Sequence, residues 1–360
     1  MKDIVEIDGS YGEGGGQILR TAIALSAVTG RPVAIHNIRA KRPRPGLQRQ
    51  HLTAVKAVAQ LVNAKVEGAL LGSTSLRFYP GDIRSGTFNF SIGTAGSITL
   101  VLQALLPVLV YAPGPVTVTI SGGTDVPWSP PIDYVRFVLK RLLEAFGLRF
   151  SVKLEKRGHY PRGGGLVRVS VPAPPRKLQP AVLAERGNIV VVEGISHCVK
   201  LPRHVAERQA QSATRVLEQV LGSVPIHIDV EWYEPDRDPH LGPGSGIVLW
   251  AVTDKSILGG DSLGAPKKPA EEVGKEAALK LLEDLAAQKA LDRHASDMLI
   301  PYAALACGES VLGGSLLTMH AWTVIHVIKK LLPEVTVSFE EGGEVGRPFI
   351  VKIAGACLTK

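Results

Sequence analysis

Apolar positions in the first half of the chain follow two alternating rhythms. Short strand-like runs, IVEID, FNFSIG and VTVTISGG, lead through turns of small residues into stretches with apolar residues three and four apart. These stretches are QILRTAIALSAVTG, SITLVLQALLPVLV and IDYVRFVLKRLLEAFG, entered through GSYGEGGG, TAG and TDVPWSPP. Between them, LQRQHLTAVKAVAQLV places Leu52, Val55, Val58 and Val62 on one helical face and Arg49, Thr53, Lys56 and Gln60 on the other. The recurrence predicts three or four α/β units of about 60–80 residues that share sheets and helices. The fold class is mixed, α/β with α+β character.

Around Val171 to Lys177 the text VPAPPRK breaks this pattern. From Asn188 the chain reads strand NIVVVEGIS, helix HVAERQAQSATRVLEQVL, strand PIHIDVEWY, loop EPDRDPHLGPGSG, strand GIVLWAVTD and helix AEEVGKEAALKLLEDLAAQ, a self-contained α/β module. Afterwards HASDMLIPYAALACG and MHAWTVIHVIKKLLP resume the earlier helix style, and VTVSFEEGG with PFIVKIAG predicts a closing hairpin. A chain of 360 residues is long for one core. The expected organisation is therefore a large repeat domain, residues 1–184 plus 289–360, interrupted by an inserted α/β domain, residues 185–288.

Composition narrows the class. With 45% apolar and 21% charged residues the chain has the make-up of a soluble globular protein, without a disorder signature. No stretch approaches the roughly 20 uninterrupted apolar residues of a membrane span, and MKDIVEIDG lacks the basic and apolar regions of a signal peptide. A cytoplasmic location with no membrane partner is expected. Cys198, Cys307 and Cys357 have neither paired nor metal-site spacing and read as reduced packing thiols. A net charge of +8 favours an anionic partner. Only four Asn in the chain point to a thermophilic source.

Candidate chemistry sits at a few junctions. In GEGGGQILR, Gly12 to Arg20, glycines let backbone N–H groups approach an anion at a helix N-terminus, and a plain structural turn fits the same residues. The segment lacks the Lys-Ser/Thr ending of a P-loop and does not fit GxGxxG. Glu13 suits either a divalent cation held against phosphate or a solvated loop. The arm RAKRPRPGLQRQHLTAVK concentrates Arg39, Lys41, Arg42, Arg44 and Arg49, with Pro43 and Pro45 keeping it extended, which suits nucleic-acid phosphate recognition, and a solvated basic loop fits the same residues. Among ten histidines, His36 and His227 sit in strand patterns and His204 and His326 on helices. His320 differs in falling at a helix start, after the small-residue turn GGSLLTM. His294 and Asp297 lie three apart on a predicted helix, a spacing that permits a metal pair.

Taken together and in this order, DGSYGEGGGQILRTAIALS, IRAKRPRPGLQRQHLTAVKA, IGTAGSITLVLQALLP, SGGTDVPWSPP, YPRGGG, HASDMLIPYAALA and MHAWTVIHVIKKLLP resemble the RNA 3′-terminal phosphate cyclase family. The resemblance covers nearly the whole chain. It implies a large domain of repeated α/β units, related to the enolpyruvyl-transferase architecture, with a smaller inserted domain. It implies a nucleotidyl-transfer reaction in which ATP, with Mg²⁺ or Mn²⁺, adenylates a histidine; AMP then passes to an RNA 3′-phosphate end, and the neighbouring 2′-hydroxyl closes a 2′,3′-cyclic phosphate.

By the same resemblance the nucleophile falls on His320 and the metal position on Glu13. Arg20, Gln103 and Asp297 fall on the nucleotide pocket, and Arg39, Arg42, Gln50 and His51 on the segment facing the RNA terminal phosphate. Two positions depart from the family pattern: Val324 stands where T-N-I is common, and Met298 where a Gln usually follows the pocket aspartate. Two other functions share the architecture, a non-catalytic ribosome-assembly factor and an enolpyruvyl transferase. His320, Glu13 and Arg20 together argue against the first, and the basic arm against the second. Oligomeric state, including a homodimer, is not specified by the sequence.

Overall fold

The computed structural model of the protein describes residues 3–359. The first unit runs β1 (Val5–Asp8), α1 (Gly16–Thr29), β2 (Val33–His36), α2 (Arg49–Leu61), β3 (Lys65–Glu67) and β4 (Leu76–Tyr79). The second runs β5 (Gly86–Ser91), α3 (Ile98–Leu109), β6 (Val116–Gly122), a π-helical turn (Tyr134–Leu139) continued by α4 (Lys140–Glu144), β7 (Ser151–Lys156) and β8 (Gly165–Val171). A third begins at β9 (Val182–Leu183). Before it resumes, the chain forms β10 (Ile189–Val199), α5 (His204–Leu221), β11 (Ile226–Glu231), β12 (Gly244–Thr253), β13 (Ile257–Leu263) and α6 (Ala270–Ala286). It closes with α7 (Ala295–Met298), α8 (Ile300–Leu305), β14 (Glu309–Gly314), α9 (Met319–Leu331), β15 (Thr336–Glu341) and β16 (Phe349–Ala354).

Three sheets share one topology. Their orders are β1-β2-β4-β3, β5-β6-β8-β7 and β9-β14-β16-β15, each a parallel pair followed by antiparallel neighbours. The α/β recurrence read from the hydrophobic rhythm is thus a repeat in space, three units of βαβαββ order. The fourth sheet is wired differently, β11-β10-β12-β13, and lies within the gap in sequence between the parallel neighbours β9 and β14.

Helices of the three repeat units pack on one another, α1 against α2, α3 and α9. Their apolar faces are buried as the periodicity predicts: Ile18, Leu19, Ile23 and Leu25 of α1, Val101, Leu102 and Leu105 of α3, Val324, Val327 and Ile328 of α9. On α2, Val55 and Val58 are fully enclosed while Lys56 and Gln60 face solvent. The fourth sheet has a separate core beneath α5 and α6, built on Val192, Leu217, Leu249, Leu258 and Leu281. Its other face meets the second unit through Trp250, stacked on Phe137 with ring centroids 4.4 Å apart. Among the described residues no helix is long and apolar enough to cross a membrane.

One sequence expectation is overturned. Cys307 and Cys357 are joined by a disulfide, and only Cys198 is a free, buried thiol. The segment after β16 turns back along α8: Ala356 N–H donates to Ala304, Cys357 N–H to Ala306 and Leu358 N–H to Leu305. That return brings together cysteines 50 residues apart, a relation no local spacing carries.

Candidate active site

His320 occupies the first turn of α9. Thr318 caps that helix, its side chain accepting the Ala321 N–H at 3.0 Å, so the imidazole is held at the helix end whose free N–H groups favour anions. The ring is half-exposed. Its Nε2 stands 3.2 Å from Glu13 Oε2 and its Nδ1 3.6 Å from Asp297 Oδ2. A carboxylate on each side fixes the ring plane.

The Gly-rich turn brings Glu13 there by close packing. Gly12 has φ +57°, and a Cβ on it would come 2.6 Å from Thr323 Oγ1 on α9. Four residues on, a Cβ at Gly16 would lie 2.3 Å from His51 Nε2. The bare backbone therefore lets the turn settle between α9 and α2. The basic arm closes over it: Lys41 Nζ donates to the Gly12 carbonyl at 2.9 Å, and Arg42 NH2 to Glu13 Oε2 at 3.2 Å. Glu13 Oε2 thus lies between a guanidinium and an imidazole.

Asp297 is mostly buried on α7. Burial pushes its carboxyl above the ordinary aspartate value, against the opposing pull of His320, His294, Gln17 and Arg20. Gln17 Nε2 donates to its Oδ2 at 3.3 Å. Position is set one step back by Asp292. Its Oδ1 accepts the His294 and Ala295 N–H groups, both at 2.9 Å, and the Tyr134 hydroxyl at 2.7 Å; its Oδ2 accepts the Gly259 N–H at 2.7 Å. This saturated carboxylate starts α7 and ties it to the second unit and to β13.

Arg20, Gln103 and Asp297 line one cavity, with Gln17, Thr21, Leu106, Pro107, Met298, Tyr302 and Val324. Arg20 is enclosed, and burial lowers its pKa to about 10 against the opposing field of Asp297. It remains a cation at neutral pH, with its Nε lacking a partner. Met298 and Val324, the two departures from the family pattern, share this wall. A pair of expected amides is thereby replaced by a pair of apolar side chains in contact with one space.

The other arm residues brace the site instead of opening into it. Arg39, at φ +55°, donates to the Arg44 carbonyl at 2.6 Å and the Gly46 carbonyl at 2.9 Å, holding the arm closed. Gln50 accepts the Ser97 N–H at 3.0 Å and so ties α2 to the start of α3. His51 is buried; burial, then Arg20 and Arg39, lower its pKa to about 3, and its neutral Nδ1 accepts the Gln48 N–H at 3.3 Å. His294 and Asp297, a possible pair by spacing, part company: His294 Nε2 turns to Asp261 Oδ1 at 3.6 Å and Asp297 to His320. Gln17 and Asp292 went unrecognised in the sequence. Gln17 carries a signal, since it lies one helical turn before Arg20; Asp292 carries none.

The chain was compared with known proteins. A family profile described as RNA 3′-terminal phosphate cyclase matches residues 11–338. A protein of that name from Hyperthermus butylicus is 67% identical over 354 residues, covering 98% of this chain and 99% of its own length. Another from Ignicoccus hospitalis is 59% identical over 357 residues, covering 99% of this chain and all of its own. Among solved structures, the enolpyruvyl transferase NikO from Streptomyces tendae aligns with 100% of this chain and 50% of its own at 11% identity and a TM-score of 0.39, too weak a likeness to carry an argument. The profile match and the near-complete, high-identity coverage of these relatives establish that the chain belongs to the RNA 3′-terminal phosphate cyclase family.

Proposed function

We propose that this chain converts an RNA 3′-terminal phosphate into a 2′,3′-cyclic phosphate at the expense of ATP, through a covalent His320–AMP intermediate. The observation that supports this most directly is the setting of His320, half-exposed at the start of α9 with Glu13 Oε2 3.2 Å from Nε2 and Asp297 Oδ2 3.6 Å from Nδ1. A proton on Nδ1 directed at Asp297 leaves the Nε2 lone pair for a phosphate that displaces Glu13 from it, the tautomer a nucleophile needs.

Nε2 attacks the α-phosphorus of ATP, the bond to pyrophosphate breaks, and a phosphoramidate forms. A terminal oxygen of the RNA 3′-phosphate next attacks that phosphorus; the P–N bond breaks and His320 is regenerated. The 2′-hydroxyl then attacks the 3′-phosphorus and AMP leaves with the electron pair. Nucleophile and electrophile sit on one ribose, where effective molarities reach about 10⁵ M or more. Arg20 and the N-terminus of α9 offer positive charge to the phosphates, and Arg42, 3.2 Å from Glu13, adds a further guanidinium beside His320. Gln103 and Asp297 line the nucleotide side. Asp297 also stabilises the imidazolium character that His320 gains as its P–N bond forms.

Glu13 suits a Mg²⁺ or Mn²⁺ ion, since its half-exposed carboxylate faces the cleft and such ions are held by one or two carboxylates plus substrate phosphates. When bound, the ion would neutralise charge on the departing pyrophosphate.

The test is incubation with Mg²⁺ and ATP labelled at the α-phosphate, followed by acid and base treatment. The parent chain should carry an acid-labile, base-stable label that His320→Ala lacks; equal labelling of both overturns the mechanism. RNA ending in 3′-phosphate should be cyclised and a 3′-hydroxyl end left unchanged. Equal ATP consumption with both ends would remove the substrate assignment.

A further inference from the structure

A second cluster of chemistry-bearing side chains lies away from His320, where the fourth sheet meets the second unit. Asp125 follows β6, His159 lies in the β7–β8 loop within the segment that ends in YPRGGG, and His197 is on β10. All three are buried, and one ligand atom from each lies within 4.8 Å of the others. Among the described residues they are the group of three or more His, Cys, Asp or Glu that meets this distance.

Two imidazole nitrogens and a carboxylate oxygen converge there. His159 Nε2 and His197 Nε2 face each other at 3.0 Å. Two imidazoles on one tetrahedral zinc, each at 2.0–2.1 Å, space their nitrogens by about 3.3 Å. Asp125 Oδ2 is engaged by Thr124 at 2.7 Å and Arg157 at 3.3 Å; Oδ1 is bare and 4.0 Å from His197 Nε2. Of six buried side-chain N and O atoms without a hydrogen-bond partner among the described residues, one is this Asp125 Oδ1. Buried polar atoms are rarely left so, and a cation held between the carboxylate and the imidazoles completes it.

Charge balance points the same way. Arg157 and Arg136 face the three carboxylates of Asp125, Asp133 and Glu231, leaving one negative charge over.

We propose that Asp125, His159 and His197 bind a structural Zn²⁺ ion that fastens the fourth sheet to the second unit. Two imidazoles with one carboxylate suit a borderline ion, and a buried site between two packed elements suits a structural role over a catalytic one. The rings are also fixed by packing: a Cβ on Gly244 would come 2.0 Å from His159 Cγ.

The experiment uses the full chain, expressed without a histidine tag in zinc-supplemented medium. Metal analysis should find about one zinc per chain. Removing it with a strong chelator should lower the thermal midpoint by several degrees, and Zn²⁺ but not Mg²⁺ should restore it. Co²⁺ added to the stripped chain should give the intense visible bands of a tetrahedral site, retained in His320→Ala and lost in His159→Gln and His197→Gln. Absence of stoichiometric zinc together with a midpoint indifferent to chelator overturns the proposal. So does a Co²⁺ spectrum that survives in both glutamine variants or disappears in His320→Ala. The measurements on the parent chain stand even where a variant fails to fold.

Discussion

Asp297 pays in stability for its place beside His320. Burial raises its pKa, so the folded state binds a proton more tightly than the unfolded chain, and stability falls as pH rises above 3.8 through the folded value. Asp297→Asn removes that penalty. It should be at least as resistant to denaturant as the parent at neutral pH, while adenylation of His320 falls by about 10²-fold or more, because the amide cannot hold the ring tautomer or stabilise its developing charge. A loss of both stability and labelling would instead make Asp297 a packing residue. His51 has the opposite sign. Its folded pKa of about 3 lies below the ordinary 6.5, so its contribution is complete above pH 6.5 and is lost as pH falls toward 3. In His51→Gln the slope of stability against pH between these values should shrink by about one proton, read from denaturant midpoints at successive pH. The family resemblance, and no local spacing, named Glu13, Arg20, Asp297 and His320 as one group, and these side chains lie about one cleft. What the sequence could not convey is which arm residues point inward. Arg39 and Gln50 look as available as Arg42 until their backbone partners are seen.

At the scale of elements, the exposed first turn of α9 carries His320, the proposed nucleophile, and the Thr318 cap anchors that turn. Replacing Thr318 with Ala should cost about 1 kcal/mol of stability. It should also lower His320 labelling at saturating ATP, with Thr318→Ser restoring both; an unchanged labelling rate would show that the cap serves stability alone. Helices were the most legible elements, since a long apolar stripe survives any tertiary context: α5 spans the residues its periodicity marks. Strands were legible in part: IVEID, FNFSIG and VTVTISGG mark β1, β5 and β6, whereas others carry no local pattern. β9 has two residues and exists because β14 lies beside it, and β13, with Gly259 and Gly260 at its centre, has little β-propensity of its own. The bare Gly259 backbone is nonetheless required, since a Cβ there would come 2.6 Å from the Tyr134 ring, and its N–H is one of the donors on Asp292. A strand that reads poorly thereby helps to position α7, and through it Asp297.

At the scale of the molecule, the site exists only where repeat units meet. Glu13 and Arg20 come from the first unit, Gln103 from the second, Asp297 and His320 from the third, so the proposed catalysis requires the three to hold their docking. The Cys307–Cys357 disulfide bears on this from the far end of the chain. It closes a loop over a separation of 50 residues that contains β14, α9 and the hairpin of β15 and β16, hence His320 itself. Loop-closure entropy for a cross-link of that span amounts to about 4 kcal/mol in the unfolded state. The Cys307→Ala, Cys357→Ala chain should therefore unfold at a lower denaturant midpoint than the oxidised parent by about that free energy. It should also match the parent treated with reductant. Neither cysteine lines the nucleotide cavity, so the double variant well below its midpoint should still label His320 at the parental rate. Slower labelling under those conditions would mean that the cross-link sets the docking of the third unit in the folded state, beyond restricting the unfolded one.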